Sequence, residues 1–167
     1  GVSGIDGLVS TTLGIAAAPE APGQPRPTVG ILGDLAFFHD MNGLLALRTL
    51  GLRAVFVVIN NDGGGIFHTL PVREHEPAFT RFFVAPHGLE FAKAAELYGI
   101  HHALASDLGQ FERAFARALE AGGPAIVEVR SDREATHLRR REVVAAVVEA
   151  VRSLAGGILP RDPHPAA

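Results

Sequence analysis

The sequence predicts an α/β fold: a mainly parallel sheet with helices on both faces. Three observations predict it. Apolar, β-rich runs alternate with helical stretches along the chain, the pattern of a layered α/β domain. One of those runs, residues 54–59, is continuously apolar, as a strand covered on both faces requires. Two runs end in residues unsuited to a core, Gly33-Asp34 and Asn60-Asn61, and in parallel sheets ligands sit beyond the carboxyl ends of strands.

Taken in order, residues 7–18 read as a helix of small residues, stopped by a proline-rich loop over 19–27. Residues 28–32 are a short β-branched and apolar strand. Residues 37–50 can form one helix, with Gly51 at its C-terminal cap. The strand 54–59 is followed by the polar, glycine-rich stretch 60–65. Residues 66–88 are irregular and carry several aromatics, and a loop that long is usually functional. A helix over 91–98 ends at Gly99, and 100–104 is a short strand. Residues 107–121 form a helix behind the candidate N-cap Ser106, closed by Gly122 and Gly123. Residues 125–129 are β-rich, and 133–154 form a last amphipathic helix. One domain over 1–155 and a loose tail over 156–167 are expected.

Composition narrows the function classes. The length of 167 residues suits one ordinary domain, and 47% hydrophobic residues can build its core. Charged residues, at 20%, fall below the usual quarter, so part of the surface is expected to be covered by something else. A net charge of −3 gives no basic footprint for nucleic acid. The absence of cysteine excludes disulfides, thiolate zinc sites and a cysteine nucleophile. Lys93, the only lysine, follows no glycine run, so a P-loop is excluded.

An aspartate just past a buried strand serves as readily to cap the next helix as to bind a ligand. Asn60 to Gly65, alone, is as readily a tight turn as a binding loop. Together they say more. A hard cation such as magnesium takes oxygen ligands in an octahedron and shares phosphate oxygens with its substrate. Asp34 offers a carboxylate, Asn61 an amide oxygen and Gly63 a carbonyl, a facial set that leaves room for phosphate. Three successive glycines let backbone approach such a ligand closely.

Gly33-Asp34-Leu35, a spacer of 24 residues and Asn60-Asn61 resemble the motif of thiamine diphosphate (ThDP) enzymes, which opens Gly-Asp-Gly and closes Asn-Asn. Leu35 departs from the third glycine and resembles the menaquinone-pathway branch, 2-succinyl-5-enolpyruvyl-6-hydroxy-3-cyclohexene-1-carboxylate (SEPHCHC) synthase. Four further segments resemble that branch in the right order: Ser3 to Gly7, Phe38 to Leu44, Gly63 to Phe67 with Leu70-Pro71, and Pro86 to Phe91. The resemblance implies a ThDP diphosphate-binding domain within a transferase that decarboxylates 2-oxoglutarate and adds the succinyl unit to isochorismate.

It also implies roles. Asp34, Asn61 and the Gly63 carbonyl would hold Mg2+ or Mn2+. Gly33 opens the motif, and backbone near Leu35, Ala36 and Gly64 would meet phosphate oxygens. Ala36 stands where many relatives have serine. Ile5 would support the bent cofactor, and the Gly4 carbonyl would accept from its aminopyrimidine. Ile66, Phe67 and Leu70 would wall the substrate side. No residue is assigned as catalytic, since the family's activating glutamate comes from a separate pyrimidine-binding domain. The chain begins inside a resembling segment, so it is expected to be a piece of a longer cytoplasmic enzyme. Its partners would be the N-terminal pyrimidine-binding and middle domains, in a homodimer or homotetramer, and the piece alone is expected to be inactive.

Plainer readings stand beside these. Without the motif Ile5 is ordinary core. Phe79, Phe82 and Phe83 read as loop anchors, His101-His102 as partly exposed, and Arg139 to Arg141 as a solvated face. His39 and His87 receive no role. The alternatives are an acetolactate synthase or 2-oxo acid decarboxylase type of ThDP enzyme, a phosphatase or receiver domain using Asp34 as phospho-acceptor, and a silent interaction module.

Overall fold

The computed structural model describes residues 4–18 and 27–154. Most of the proline-rich loop, Ser3 and the tail lie outside those residues. Four parallel strands form one sheet: β1 (Val29–Gly33), β2 (Val55–Asn60), β3 (His101–Ala105) and β4 (Ala125–Arg130), in the order β1-β2-β4-β3. The register sets Gly33 beside Ile59 and Asn60 beside Arg130, so the carboxyl ends of β1, β2 and β4 lie together.

The continuous apolar run of β2 finds cover on both faces. Phe56 and Val58 pack with Leu32 and Ile126 under α1 (Leu8–Ala16), α2 (Asp34–His39), α3 (Leu45–Leu50) and α4 (Phe91–Tyr98), through Val9, Leu13, Phe37, Leu47, Phe91 and Ala95. Phe37 meets Phe56 and Phe91 edge-on, with ring centroids 6.0 and 5.3 Å apart. Val55 and Val127 face the other way, onto Phe111, Ala114, Phe115 and Ala118 of α5 (Leu108–Ala121). Alternation along the strand thus separates the two faces of one core.

Three expectations need correction. The single helix over 37–50 is three pieces: α2, a 3-10 turn over Met41–Leu44, and α3. The chain leaves helical geometry at Asp40 (φ −120°), whose carboxylate accepts from Ser10 N at 2.6 Å and Ser10 Oγ at 2.9 Å. Asp40 thereby satisfies an orphan N–H in the first turn of α1, which has no cap of its own. The N-cap of α5 is Asp107, which accepts from Gln110 N at 2.7 Å, while Ser106 N donates back to Gln110 Oε1 at 3.0 Å.

The third correction concerns α6 (Arg133–Leu154). It buries only His137 and leaves Val143, Val144, Val147, Val148 and Val151 exposed, so its apolar residues are not a core face. His137 accepts from Arg73 Nη1, and Glu134 meets His68 Nε2 at 3.2 Å, which ties α6 to the loop after β2. No helix among the described residues is long and apolar enough to cross a membrane.

Candidate cofactor-binding site

β1 ends at Gly33, and Asp34 opens α2 with its side chain 4% exposed. The carboxylate faces the loop after β2. Oδ2 accepts from Gly63 N at 2.9 Å and Asn61 N at 3.2 Å, and Oδ1 accepts from the adjacent Leu35 N at 2.7 Å. Residues 27 and 29 positions apart therefore meet at one end of the sheet, as the paired strand ends predict. A third donor, which sequence reasoning missed, is His87: its Nε2 lies 3.1 Å from Oδ2.

Asn61 carries the site's open valence. Its Oδ1 is buried and has no hydrogen-bond partner among the described residues. A buried, unpaired acceptor is costly, about 1–3 kcal/mol, unless something absent from the free chain completes it. His137 Nδ1, on α6, is the other such atom among those residues, and its ring lies beside His68, with centroids 6.0 Å apart.

The loop between the two asparagines and the third glycine is fixed by its own chain. Asp62 sits at φ +60°, and its Oδ1 accepts from Gly88 N at 2.8 Å and His87 N at 3.1 Å. Burial pushes the Asp62 carboxyl upward, but those two N–H groups, helped by the Arg133 charge, outweigh it and hold the acid below its usual range. Gly63 adopts φ +129°, and a Cβ there would collide with the Val84 carbonyl; at Gly64 one would collide with the Phe83 carbonyl. These glycines are required by close approach of residues 83–85, and not only by a ligand. Gly64 N donates to Val84 O at 2.7 Å, so that N–H is occupied, and the Gly63 carbonyl accepts from Gly65 N at 2.9 Å.

Asn60 is oriented differently. Its Nδ2 donates to Glu128 Oε1 at 2.7 Å, and its Oδ1 accepts from Asp62 N at 3.0 Å. Glu128, 2% exposed in β4, also accepts from His102 Nε2 at 2.9 Å and Arg130 Nε at 3.4 Å. Burial raises this acid, yet the bonds from His102 and Asn60 and the charges of His102 and Arg130 prevail and lower it. His102 is thus tied to a buried carboxylate, while His101 is exposed. Asn61 and Asp62 also line a cleft of about 550 Å³ with Gly88, Arg130 and Arg133.

The residues expected on the substrate side are on the surface. Ile66 is 73% exposed and Leu70 46%. Phe67 is half-buried and meets Phe83 edge-on at 5.6 Å. Ile5 is 47% exposed, so it is not core, and Gly4 is exposed. Phe79 is buried as a loop anchor, whereas Phe82 is not: it is exposed, with Arg81 over its ring at 5.2 Å.

Parallel α/β domains bind ligands beyond the carboxyl ends of their strands, and that is where Asp34 faces the loop over 61–63. Residues 7–129 match the family described as thiamine pyrophosphate enzyme, C-terminal TPP binding domain, and the chain belongs to that family; thiamine pyrophosphate and ThDP are one compound. Its curated relatives include proteins named SEPHCHC synthase. That of Roseiflexus castenholzii is 47% identical over 147 residues, which is 87% of this chain and 24% of the relative. That of Halobacterium salinarum is 48% identical over 145 residues, again 87% of this chain and 24% of the relative. The chain spans about a quarter of the length of the curated relatives it matches. Among solved structures, benzoylformate decarboxylase from Polynucleobacter necessarius shares the fold, with a TM-score of 0.64 at 22% identity over 75% of this chain and 23% of that one.

Proposed function

We propose that this chain is the diphosphate- and metal-holding domain of a SEPHCHC synthase. Buried Asn61 Oδ1, unpaired on the loop that hydrogen-bonds to Asp34, carries the reading. An amide oxygen and a carboxylate on adjoining strand ends are the donors a small hard cation takes, with phosphate oxygens completing its shell. Asp34 Oδ1 and Asn61 Oδ1 would hold Mg2+ or Mn2+, and the Gly63 carbonyl would join them after releasing Gly65 N. Bound ThDP supplies the carbon nucleophile of the reaction.

The chain's own residues anchor and orient. Asp34 and Asn61 would fix the charged end of the cofactor, with backbone near Ala36, and at Leu35 once its N–H leaves Asp34 Oδ1, meeting its phosphates. The exposed Gly4 and Ile5 would meet its middle, and Ile66, Phe67 and Leu70 offer an apolar wall toward substrate. By this reading the substrates are 2-oxoglutarate and isochorismate, the enzyme is a cytoplasmic homo-oligomer, and the pyrimidine-activating acid comes from another domain. The chain by itself is then expected to bind without turnover.

Calorimetry of the 167-residue chain with ThDP and Mg2+ tests the metal assignment. Asp34→Ala should lose magnesium-dependent binding by at least about 100-fold, and Asn61→Ala nearly as much. Folded variants that both keep wild-type affinity would overturn it.

A further inference from the structure

The geometry points to His87 as a positioning residue: it fixes the Asp34 carboxylate so that Oδ2 is saturated and Oδ1 is turned to the cation. This inference rests on the metal role proposed for Asp34.

Four observations converge on it. The His87 side chain is 10% exposed, and its Nε2 lies 3.1 Å from Asp34 Oδ2. Its other nitrogen, Nδ1, accepts from Leu89 N at 2.9 Å. With Nδ1 accepting Leu89 N–H, and lying 3.5 Å from Asp62 Oδ1, Nε2 is the ring nitrogen placed to donate to Asp34. The ring cannot easily turn away, because it packs against Phe91, with centroids 6.0 Å apart at 67°, and Phe91 is locked to Phe37 in the core. The backbone beneath the ring is pinned as well. Asp62 accepts from both His87 N and Gly88 N, and Gly88 at φ +59° turns the chain so that Leu89 N reaches back to Nδ1.

Oδ2 of Asp34 thus receives Asn61 N, Gly63 N and His87 Nε2, while Oδ1 receives only the neighbouring Leu35 N. A carboxylate held this way presents one chosen oxygen. Partners that orient a metal ligand from behind typically change metal affinity about 10- to 100-fold when removed.

The test uses the 167-residue chain and two kinds of readout. Nitrogen-15 NMR of the ligand-free wild type should show the Nε2–H tautomer of His87; an Nδ1–H tautomer overturns the inference without any ligand. Mn2+ binding in the presence of ThDP, followed by electron paramagnetic resonance, is then compared among variants. His87→Leu, which removes the donor, should weaken Mn2+ by about 10- to 100-fold. His87→Asn, whose amide is one bond too short, should do the same. His87→Gln places an N–H as many bonds from Cβ as Nε2 and should stay within about threefold of wild type. Equal loss in all three variants would mean a packing role and would overturn the inference, as would no loss in any. Asp34→Ala separates the two levels. If it loses Mn2+ while His87→Leu does not, only the role of His87 fails. If Asp34→Ala itself binds normally, the metal reading fails and the role of His87 falls with it.

Discussion

Two buried carboxylates lie at the same end of the sheet, and their surroundings look alike at first. Asp34 and Glu128 are 3% and 2% exposed. Each meets the Nε2 of one histidine, His87 or His102, and each meets one member of the Asn60-Asn61 pair. The difference is in what is left over. Glu128 is met by side chains only, Asn60 and Arg130 on Oε1 and His102 on Oε2, and the Asn60 amide that it holds is itself fully paired. Asp34 is met mostly by backbone N–H groups of the loop after β2, and among the described residues that loop carries a buried amide oxygen, Asn61 Oδ1, with no partner. A buried acid alone does not mark a site; a buried acid beside an unpaired buried acceptor does.

The sharpest way to break the comparison is to remove the acid that has no unpaired acceptor beside it. Glu128→Ala strips the acceptor from Asn60 Nδ2 and His102, leaves a cavity, and should cost about 3 kcal/mol of stability in urea unfolding. Folded protein should retain metal-dependent ThDP binding within about tenfold, the reverse of Asp34→Ala. Equal losses of affinity in the two variants would dissolve the distinction between them.

Acid tests the same contrast more gently. The Glu128 carboxyl is lowered in the folded chain from its ordinary value of 4.5, and that of Asp62 from 3.8. A lowered acid contributes stability that is full above the unfolded value and is lost as pH falls through the folded one. Stability should therefore begin to fall below about pH 4.5. Glu128→Gln should be about 2 kcal/mol less stable at pH 7 and should show a flatter decline below pH 4.5. Urea melts from pH 7 to 3 check this, and an unchanged slope would remove Glu128 from the account.

The two asparagines should then divide along the same line. Asn60 bridges Glu128 and Asp62 N, so Asn60→Ala should cost about 1–2 kcal/mol. The buried oxygen of Asn61 has no partner, so Asn61→Ala relieves a penalty of about 1–3 kcal/mol against the packing it loses and should leave the ligand-free chain no less stable, while removing metal-dependent binding. Thermal melts beside calorimetry measure both axes.

This division explains what the sequence discloses. Asp34 and Asn61 are legible because they interrupt apolar runs at strand ends, with a helix and a strand between them. Glu128 stands within the run 125–129, which reads simply as strand. The missed signal is a charge between Val127 and Val129, which burial permits only with partners. His87 belongs to a resembling segment, but its partner Asp34 is 53 residues away, and no periodicity connects them. The break at Asp40 was equally hidden, because residues 37–50 are good helix formers and the competing demand comes from Ser10, 30 residues earlier. Layers and element types follow from local pattern; the strand order β1-β2-β4-β3 and the carboxylate partners follow from tertiary packing.

The smallest expected effect concerns the clamp over the loop. Arg133 Nη1 donates to Asn61 O at 3.0 Å and Asp62 O at 3.2 Å, and lies 3.7 Å from Asp62 Oδ2. Its side chain is 30% exposed, so water softens the ion pair more than the carbonyl bonds. Arg133→Leu should cost about 1 kcal/mol and weaken Mn2+–ThDP binding by only about threefold, because Asp34 still holds the Asn61 and Gly63 amides. Salt distinguishes the two contributions. If the carbonyl bonds carry the effect, the difference between wild type and Arg133→Leu should persist in 0.5 M NaCl, where the Debye length falls to about 4 Å. If the difference vanishes in salt, the contact with the Asp62 carboxylate carries it, and the loop is held by Asp34 and Glu128 without a third clamp.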